Sequence, residues 1–358
     1  EEVDRKERLL NGHTSMLLKL TNTGQVWDHE PRHRESNIQH SGFVALMSLL
    51  IKDHKEYTDL PPTRAVVSGN EGVGAAFSNL LSELIEPLAD AVTDKIEVIS
   101  TEDFESRVDK ANEKLEREWT QGDEVAILGF NVKALFASLS ARQTARVVRD
   151  AYLEYELEYK GIDYKSAAMY VRYGMTDAEI RALKLTRLVP VRKKTRGQAP
   201  GITSAEALHA DHDKDGDKWV FPNVEPTKNE ERIIMGAVLE IAVRTAWENS
   251  CYAFGGRYYH QQQGGPTGRR ITMATSRIVM GSDFGKKLTS TLDKADIKTY
   301  LRSAYVDDIR LIINLFRNLK WNDDTKTFQA LENIVQHDHE ELTIYCAEEI
   351  RKAMEYKS

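Results

Sequence analysis

Ala304-Tyr305-Val306-Asp307-Asp308-Ile309 sets two adjacent acids between two strand-like segments, Thr299 to Tyr305 and Ile309 to Asn314. Paired acids at a hairpin tip are ordinarily a solvated turn. Here both flanks are apolar, so the turn is expected to rest on a packed sheet. Carboxylates fixed on a rigid hairpin suit Mg²⁺, which takes hard oxygen ligands in near-octahedral geometry and keeps positions open for phosphate.

Working outward, Val125 to Phe130 is a short apolar run bounded by Gly122-Asp123 and Asn131, and it reads as a buried strand. Phe130-Asn131-Val132-Lys133-Ala134-Leu135-Phe136 continues from it, and Gln261 to Arg270 is a glycine-bearing loop that opens a helix from Thr272 to Met280. Arg64 to Ser68 reads as a strand after the Pro61-Pro62 turn, and Phe43 to Ile51 as a strand or buried helix. Helical spacing marks Ala75 to Val92, Phe104 to Glu118, Thr144 to Tyr159, 174–196 and Asn229 to Glu248, the last with Asn229 as its cap. Gly255-Gly256 begins a loop, and residues 1–40 form a charged helical extension. Strands and helices mix without strict βαβ alternation, which makes the fold α+β.

Composition narrows the classes. The chain has 358 residues, 41% of them hydrophobic and 29% charged, enough for a sizeable core and a soluble surface. Forty-nine basic against 56 acidic residues give a net charge of −7, which excludes a uniformly basic nucleic-acid coat but leaves room for a local basic groove. No apolar run reaches the roughly 18 residues that span a bilayer. Cys251 and Cys346 make neither a disulfide framework nor a zinc site. The expectation is a reduced, intracellular protein without a membrane partner, with nucleus and cytoplasm undecided. Because it starts at Glu1, it is expected to be a piece of something longer.

Taken in order, the blocks Lys52-Asp53-His54-Lys55, Pro61 to Gly69, Phe130 to Leu139, Gln261 to Arg270 and Tyr305-Val306-Asp307-Asp308 resemble the reverse transcriptases, in wording most like those of retroelements in single-celled eukaryotes. The resemblance covers roughly 43–315. It implies a right-hand polymerase fingers and palm, with helices backing an antiparallel palm sheet. It implies an N-terminal extension at 1–42, fingers with the first palm elements at 43–130, and a palm with motifs A, B and C at 131–315 that holds a basic insert near 174–230. Residues 316–358 would begin the region after motif C, with no recognisable thumb or nuclease. The implied activity is RNA-templated DNA synthesis from dNTPs on an RNA template and DNA primer, with two Mg²⁺ ions for which Mn²⁺ could substitute.

The resemblance also gives roles. Asp307 and Asp308 match the motif C acids, Asp307 as metal ligand and Asp308 as its support; the Val132 carbonyl would also face the metal. Phe136 falls on the steric gate that excludes a 2′-hydroxyl. Gln263, Gly264, Gly265 and Gly268 would lie against the nascent base pair, where glycine lets backbone approach. Lys52, Lys55 and Arg64 match fingers cations that grip the triphosphate. Asn131 stands where the family has its first catalytic aspartate, and a neutral amide there should weaken the metal pair, so impaired catalysis is expected. A catalytically inactive palm scaffold that binds RNA or a partner protein is the alternative.

Other signals are weaker. Asp211 to Asp217 imitates half an EF-hand loop, but Pro222 replaces the closing Glu, so a solvated loop is expected. His337 and His339 read as surface residues. The basic run Arg181 to Arg196 is a solvated face with phosphate-backbone contact as its functional reading.

Overall fold

The computed structural model describes residues 2–21, 44–52, 61–68, 72–94, 96–118, 124–132, 135–192, 219–266, 268–294, 298–315, 319–322 and 327–330. The acidic loop 211–217, His337, His339, Lys55 and the end of the basic run lie outside them. The chain divides into two compact units, Glu1–Ala89 with Phe136–Thr275, and Asp90–Leu135 with Ser276–Ser358. Both mix helices with small sheets.

In the first unit, α1 (Glu2–Thr21), α5 (Ala141–Glu154), α6 (Tyr164–Gly174) and α8 (Lys228–Glu248) pack on one another. Helix α8 is buried on all sides from Ile234 to Trp247 except at Arg244, the pattern of a central core helix. Its one buried acid, Glu240, is matched by Arg149 at 2.6 Å. The cap of α8 is Thr227 rather than Asn229. The Thr227 hydroxyl accepts from the Glu230 N–H, and the Glu230 carboxylate accepts from the Thr227 N–H, a reciprocal box that only a residue three before a Glu can form.

The single helix expected over 174–196 is instead a broken segment. Helix α6 ends at Gly174, and Thr176 with Glu179 builds a second capping box that starts α7 (Asp177–Ala182). Lys184, at φ 58°, ends the helical course, and β4 (Val191–Arg192) then pairs with β5 (Trp219–Val220). Arg187 is engaged by Glu230 at 2.5 Å, so it is not a free phosphate ligand.

The sheet of this unit runs β2-β1-β6-β7, built from β1 (Ala45–Ile51), β2 (Thr63–Ser68), β6 (Cys251–Phe254) and β7 (Arg257–His260). It is mixed, because β1 and β6 run parallel. Gly255-Gly256 is the whole two-residue turn between β6 and β7, with φ of 56° and 74°, values that match the twist of a tight hairpin. Helix α2 (Ala75–Thr93) buries Phe77, Leu80, Leu81, Leu84, Ile85 and Leu88, as its spacing predicts. The short α4 (Leu135–Ser138) and α9 (Arg270–Val279) complete the set.

In the second unit a three-stranded antiparallel sheet runs β3-β9-β8, from β3 (Glu124–Asn131), β8 (Thr299–Tyr305) and β9 (Asp308–Leu315). Period-2 alternation sorts its faces. Ala126, Leu128, Ile309, Leu311 and Ile313 are buried on one. On the other, α3 (Thr101–Glu118) covers one end, packing Phe104, Val108 and Leu115 with Val125, Leu301 and Ile312. A π turn at Met280–Phe284 joins α9 to α10 (Gly285–Lys294), and β10 (Leu319–Asn322) pairs with β11 (Thr327–Ala330) as a separate hairpin. No described helix is long and apolar enough to cross a membrane.

Candidate active site

The Asp-Asp pair sits on the β8–β9 hairpin, whose turn is only Val306 and Asp307. Val306 has φ 55°, the left-handed region that a β-branched side chain resists, at a cost of order 1–3 kcal/mol. Bracing on both sides holds that conformation. On one side the Val132 N–H donates to the Asp307 carbonyl at 2.9 Å, extending the β3–β9 ladder into the turn. On the other, Ala304 exchanges backbone bonds with Ile96 and Val98 at 2.7 and 2.9 Å. Glu97, between them, is clamped by Arg277 at 2.5 Å, and Arg277 also reaches Asp90 at 2.7 Å. Burial acts to lower the Arg277 pKa, but the hydrogen bonds to Glu97 and Asp90 carry it above the ordinary guanidinium value.

Cross-strand register aligns the site. Tyr305 pairs with Asp308, and Asp308 with Asn131, so the three side chains form a row on one face of the sheet. The Asn131 Nδ2 donates to Asp308 Oδ1 at 2.8 Å, joining residues 177 apart in the chain. The partner of Asn131 is therefore Asp308. Asp307 meets the end of β3 through its backbone, because a turn residue falls outside the ladder's alternation. Among the described residues the Asp307 carboxylate accepts no hydrogen bond.

The next row on this face is Ser303, Arg310 and Gly129. Gly129 leaves space that Arg310 uses: a Cβ there would come within 3.2 Å of the Arg310 guanidinium. This end of the face stays open, with Asn131 exposed and Tyr305 at 65%. A cavity of about 520 Å³ beside it is lined by Asp308, Arg310, Tyr305, Ile99 and Phe104 among others.

The chemistry of the donors is that of a hard-cation site with few charges. Asp307 and Asp308 supply two carboxylates, met by N–H donors from Val132, to the Asp307 carbonyl, and from the Asn131 amide, to Asp308 Oδ1. No group of three or more His, Cys, Asp or Glu among the described residues could hold a metal. Two carboxylates are fewer than the three anions that a closely spaced Mg²⁺ pair ordinarily draws on.

Other sequence-predicted residues gather in the first unit. Phe136 begins its second segment and is half-buried. Gly265 N–H donates to the Phe136 carbonyl at 2.8 Å, and Gly264 N–H to Leu139 at 3.1 Å. Gly264, at φ 81°, presses so close that a Cβ would meet Ala137 Cα and the Phe136 carbonyl at 2.8 Å. The protein's own backbone thus demands these glycines. Gln263 and Gly268 are exposed in the same loop, which Gln261 ties by donating to the Gly265 carbonyl at 2.7 Å. Arg269 is buried and donates to the Val73 carbonyl, and burial lowers its pKa to about 10. Lys52 directly follows β1, its N–H donating to the Pro62 carbonyl at 2.8 Å, and Arg64 of β2 stands opposite Leu50.

Sequence reasoning missed Arg310, Tyr305 as a row member, and the Glu97–Arg277 clamp. Alternation counted from Asp308 reaches Arg310 on the same face. The clamp joins residues 180 apart and has no local signal.

No family model matches the chain, and no curated protein matches it. Among solved structures, a telomerase from Candida albicans in complex with a TWJ fragment of telomeric RNA is similar at a TM-score of 0.41 and 12% identity. The match covers 75% of this chain and 38% of the telomerase chain, so this chain spans well under half of that protein's length.

Proposed function

We propose that this chain is a reverse-transcriptase core of a retroelement, performing RNA-templated DNA synthesis, with activity impaired by Asn131. The observation that carries the reading is the meeting of Asn131 and Asp308 at 2.8 Å across adjacent antiparallel strands, with Asp307 on the turn beside them. A palm needs such convergence of motifs A and C, and an unrelated Asp-Asp turn does not. The fingers would lie within 43–130 and the palm within 131–315, with the basic insert near 174–230.

The reaction joins a primer 3′-hydroxyl to the α-phosphate of an incoming dNTP, and pyrophosphate leaves. Asp307 and Asp308, with neutral oxygens from Asn131 and Val132, would hold the Mg²⁺ or Mn²⁺ ions, which would supply Lewis acidity to the reacting phosphate. The protein's own residues position and select. The Asn131 amide fixes one Asp308 oxygen and removes it from other duty. Phe136 takes the sugar-gate role, leaving no volume for a 2′-hydroxyl. Lys52, Lys55 and Arg64 grip the triphosphate, and Gln263, Gly264, Gly265 and Gly268 flank the new base pair.

A second reading is a palm scaffold that binds RNA or a partner protein without catalysis. The amide bound to Asp308 favours it, since a neutral donor replaces a metal-bridging anion. Primer extension on an RNA template with Mg²⁺, using dNTPs or rNTPs, tests both with the chain and its Asn131→Asp variant. The polymerase reading expects dNTP-only extension by the variant. No extension by the variant, with RNA still bound, leaves the scaffold, and rNTP incorporation means an RNA polymerase.

A further inference from the structure

A second cavity, of about 440 Å³, lies in the second unit away from the acid row, bordered by α3, α10 and the edge strand β8. Its lining is unusually cationic. Lys110 and Lys114 come from α3 and Arg302 from β8, while Thr289 and Asp293 come from α10. Arg107 also lines it, but its charge is taken by Asp103 at 3.0 Å.

The other three cations, Lys110, Lys114 and Arg302, feel Asp103, Glu118 and Asp293 but form no close ion pair among the described residues. Arg302 is partly buried and donates to the Thr289 hydroxyl, a neutral partner. Burial holds its guanidinium below the ordinary value, and the acid that acts against this is Asp293, itself exposed. Lys114 spends one donor on the Thr299 carbonyl at 3.0 Å, and its ammonium lies 5.7 Å from the centre of the Tyr300 ring. Lys110 is exposed and acts on the Asp103 carboxylate only at a distance, without a hydrogen bond or ion pair among the described residues. Lys298, 5.4 Å from the centre of the same Tyr300 ring, is paired with Glu118 at 2.9 Å, and Lys114 acts on that carboxylate as well.

Arg107, Lys110, Lys114, Lys298 and Arg302 face the three carboxylates Asp103, Glu118 and Asp293, an excess of two positive charges around a cavity open to solvent. A desolvated guanidinium without a carboxylate partner is costly, and an anion that accepts from it recovers that cost. The donors differ in shape: a planar fork from Arg302, two mobile ammonium groups and a hydroxyl. That combination suits a tetrahedral anion with oxygens on all sides better than a flat carboxylate.

We propose that this cavity is a phosphate-binding site. The phosphate belongs either to a free polyphosphate or to the backbone of a nucleic-acid strand, and the site does not depend on the polymerase reading.

The test is calorimetric titration of the full chain with inorganic tripolyphosphate in EDTA at low ionic strength, so that metal-dependent binding at Asp307 and Asp308 is silent. One saturable site is expected. The double variant Lys110→Gln/Lys114→Gln should weaken it by about tenfold or more, as two lost charge-assisted contacts imply. Arg302→Gln should do the same and Arg302→Lys should retain part of the affinity; circular dichroism reports whether each remains folded. If the Arg302 variants unfold, the lysine pair alone decides. Absence of saturable binding, or binding unchanged in the lysine double variant, overturns the proposal. A short oligouridylate that displaces tripolyphosphate identifies strand phosphate as the source, and coexistence of both identifies a free anion.

Discussion

Asn131→Asp places a third anion beside Asp307 and Asp308. In the Asn131 chain Nδ2 and Asp308 Oδ1 stand 2.8 Å apart as donor and acceptor. The variant sets two carboxylate oxygens at that separation. Coulomb's law gives about 1.5 kcal/mol of repulsion there at the dielectric of water, and a few times more where the medium is less polarisable. Loss of a hydrogen bond to a charged acceptor adds about 0.5 kcal/mol at so exposed a position. Without metal, the variant should therefore be less stable by about 2 kcal/mol. Added Mg²⁺ should reverse the sign, because the third carboxylate turns from a repulsive neighbour into a ligand. Urea unfolding of both proteins, with EDTA and with Mg²⁺, reads the effect, and primer extension reads its consequence. Extension should rise at least about a hundredfold, the size of a lost electrostatic stabiliser. Equal stability in EDTA, together with no Mg²⁺-dependent gain, would refute the reasoning; so would robust synthesis by the Asn131 chain.

Three further outcomes are expected. Phe136→Ala in the Asn131→Asp background should lower the preference for dNTPs over rNTPs, and an unchanged ratio would make Phe136 only a packing aromatic. His13, bonded to Tyr170 at 2.7 Å, is held at about 4 by burial, with Arg244 adding to the effect. Its folded pKa lies below the ordinary 6.5, so the stability that neutral His13 contributes is complete above that pH and is lost as pH falls towards 4, by about 3 kcal/mol in all. Urea midpoints at pH 7 and pH 4.5 should show this, and His13→Gln should flatten it. Gly264→Ala combines a φ of 81° with backbone atoms at 2.8 Å, and should cost about 2–4 kcal/mol by the same measurement.

The elements that sequence made legible are those whose signal is local. Val125 to Phe130 shows an unbroken apolar run and Ala75 to Val92 a clean helical period, and both elements form there, although the strand is buried on one face only and leaves Ile127 72% exposed. The Asp-Asp turn was readable because its flanks are too apolar for a free tip. What stayed hidden depends on contacts that no window contains. The cap of α8 turns on the reach of Glu230 back to Thr227, which Asn229, only one residue before it, cannot mimic. The parallel pairing of β1 with β6 joins Ala45 to Tyr252, and a strand's own sequence does not declare its neighbour's direction. Whether Asn131 meets Asp307 or Asp308 is a matter of register, where one residue exchanges the faces.

The segment Ile96–Val98 has a consequence for how molecules of this protein meet one another. Strand β8 is the outer strand of its sheet, and an outer strand with unpaired N–H and C=O groups is a template for any foreign strand. At Ala304 both groups are already spent, its N–H on Ile96 and its carbonyl on Val98. Val98 and Ile96 thus cap the edge directly before the strained turn, the place where an intruding strand would most easily pry the hairpin loose. Sealing by so few bonds depends on Arg277 keeping Glu97 in place. A chain that lost this clamp would expose a fresh edge beside its acids and acquire a tendency to pair with its own copies, appearing first as aggregation on warming.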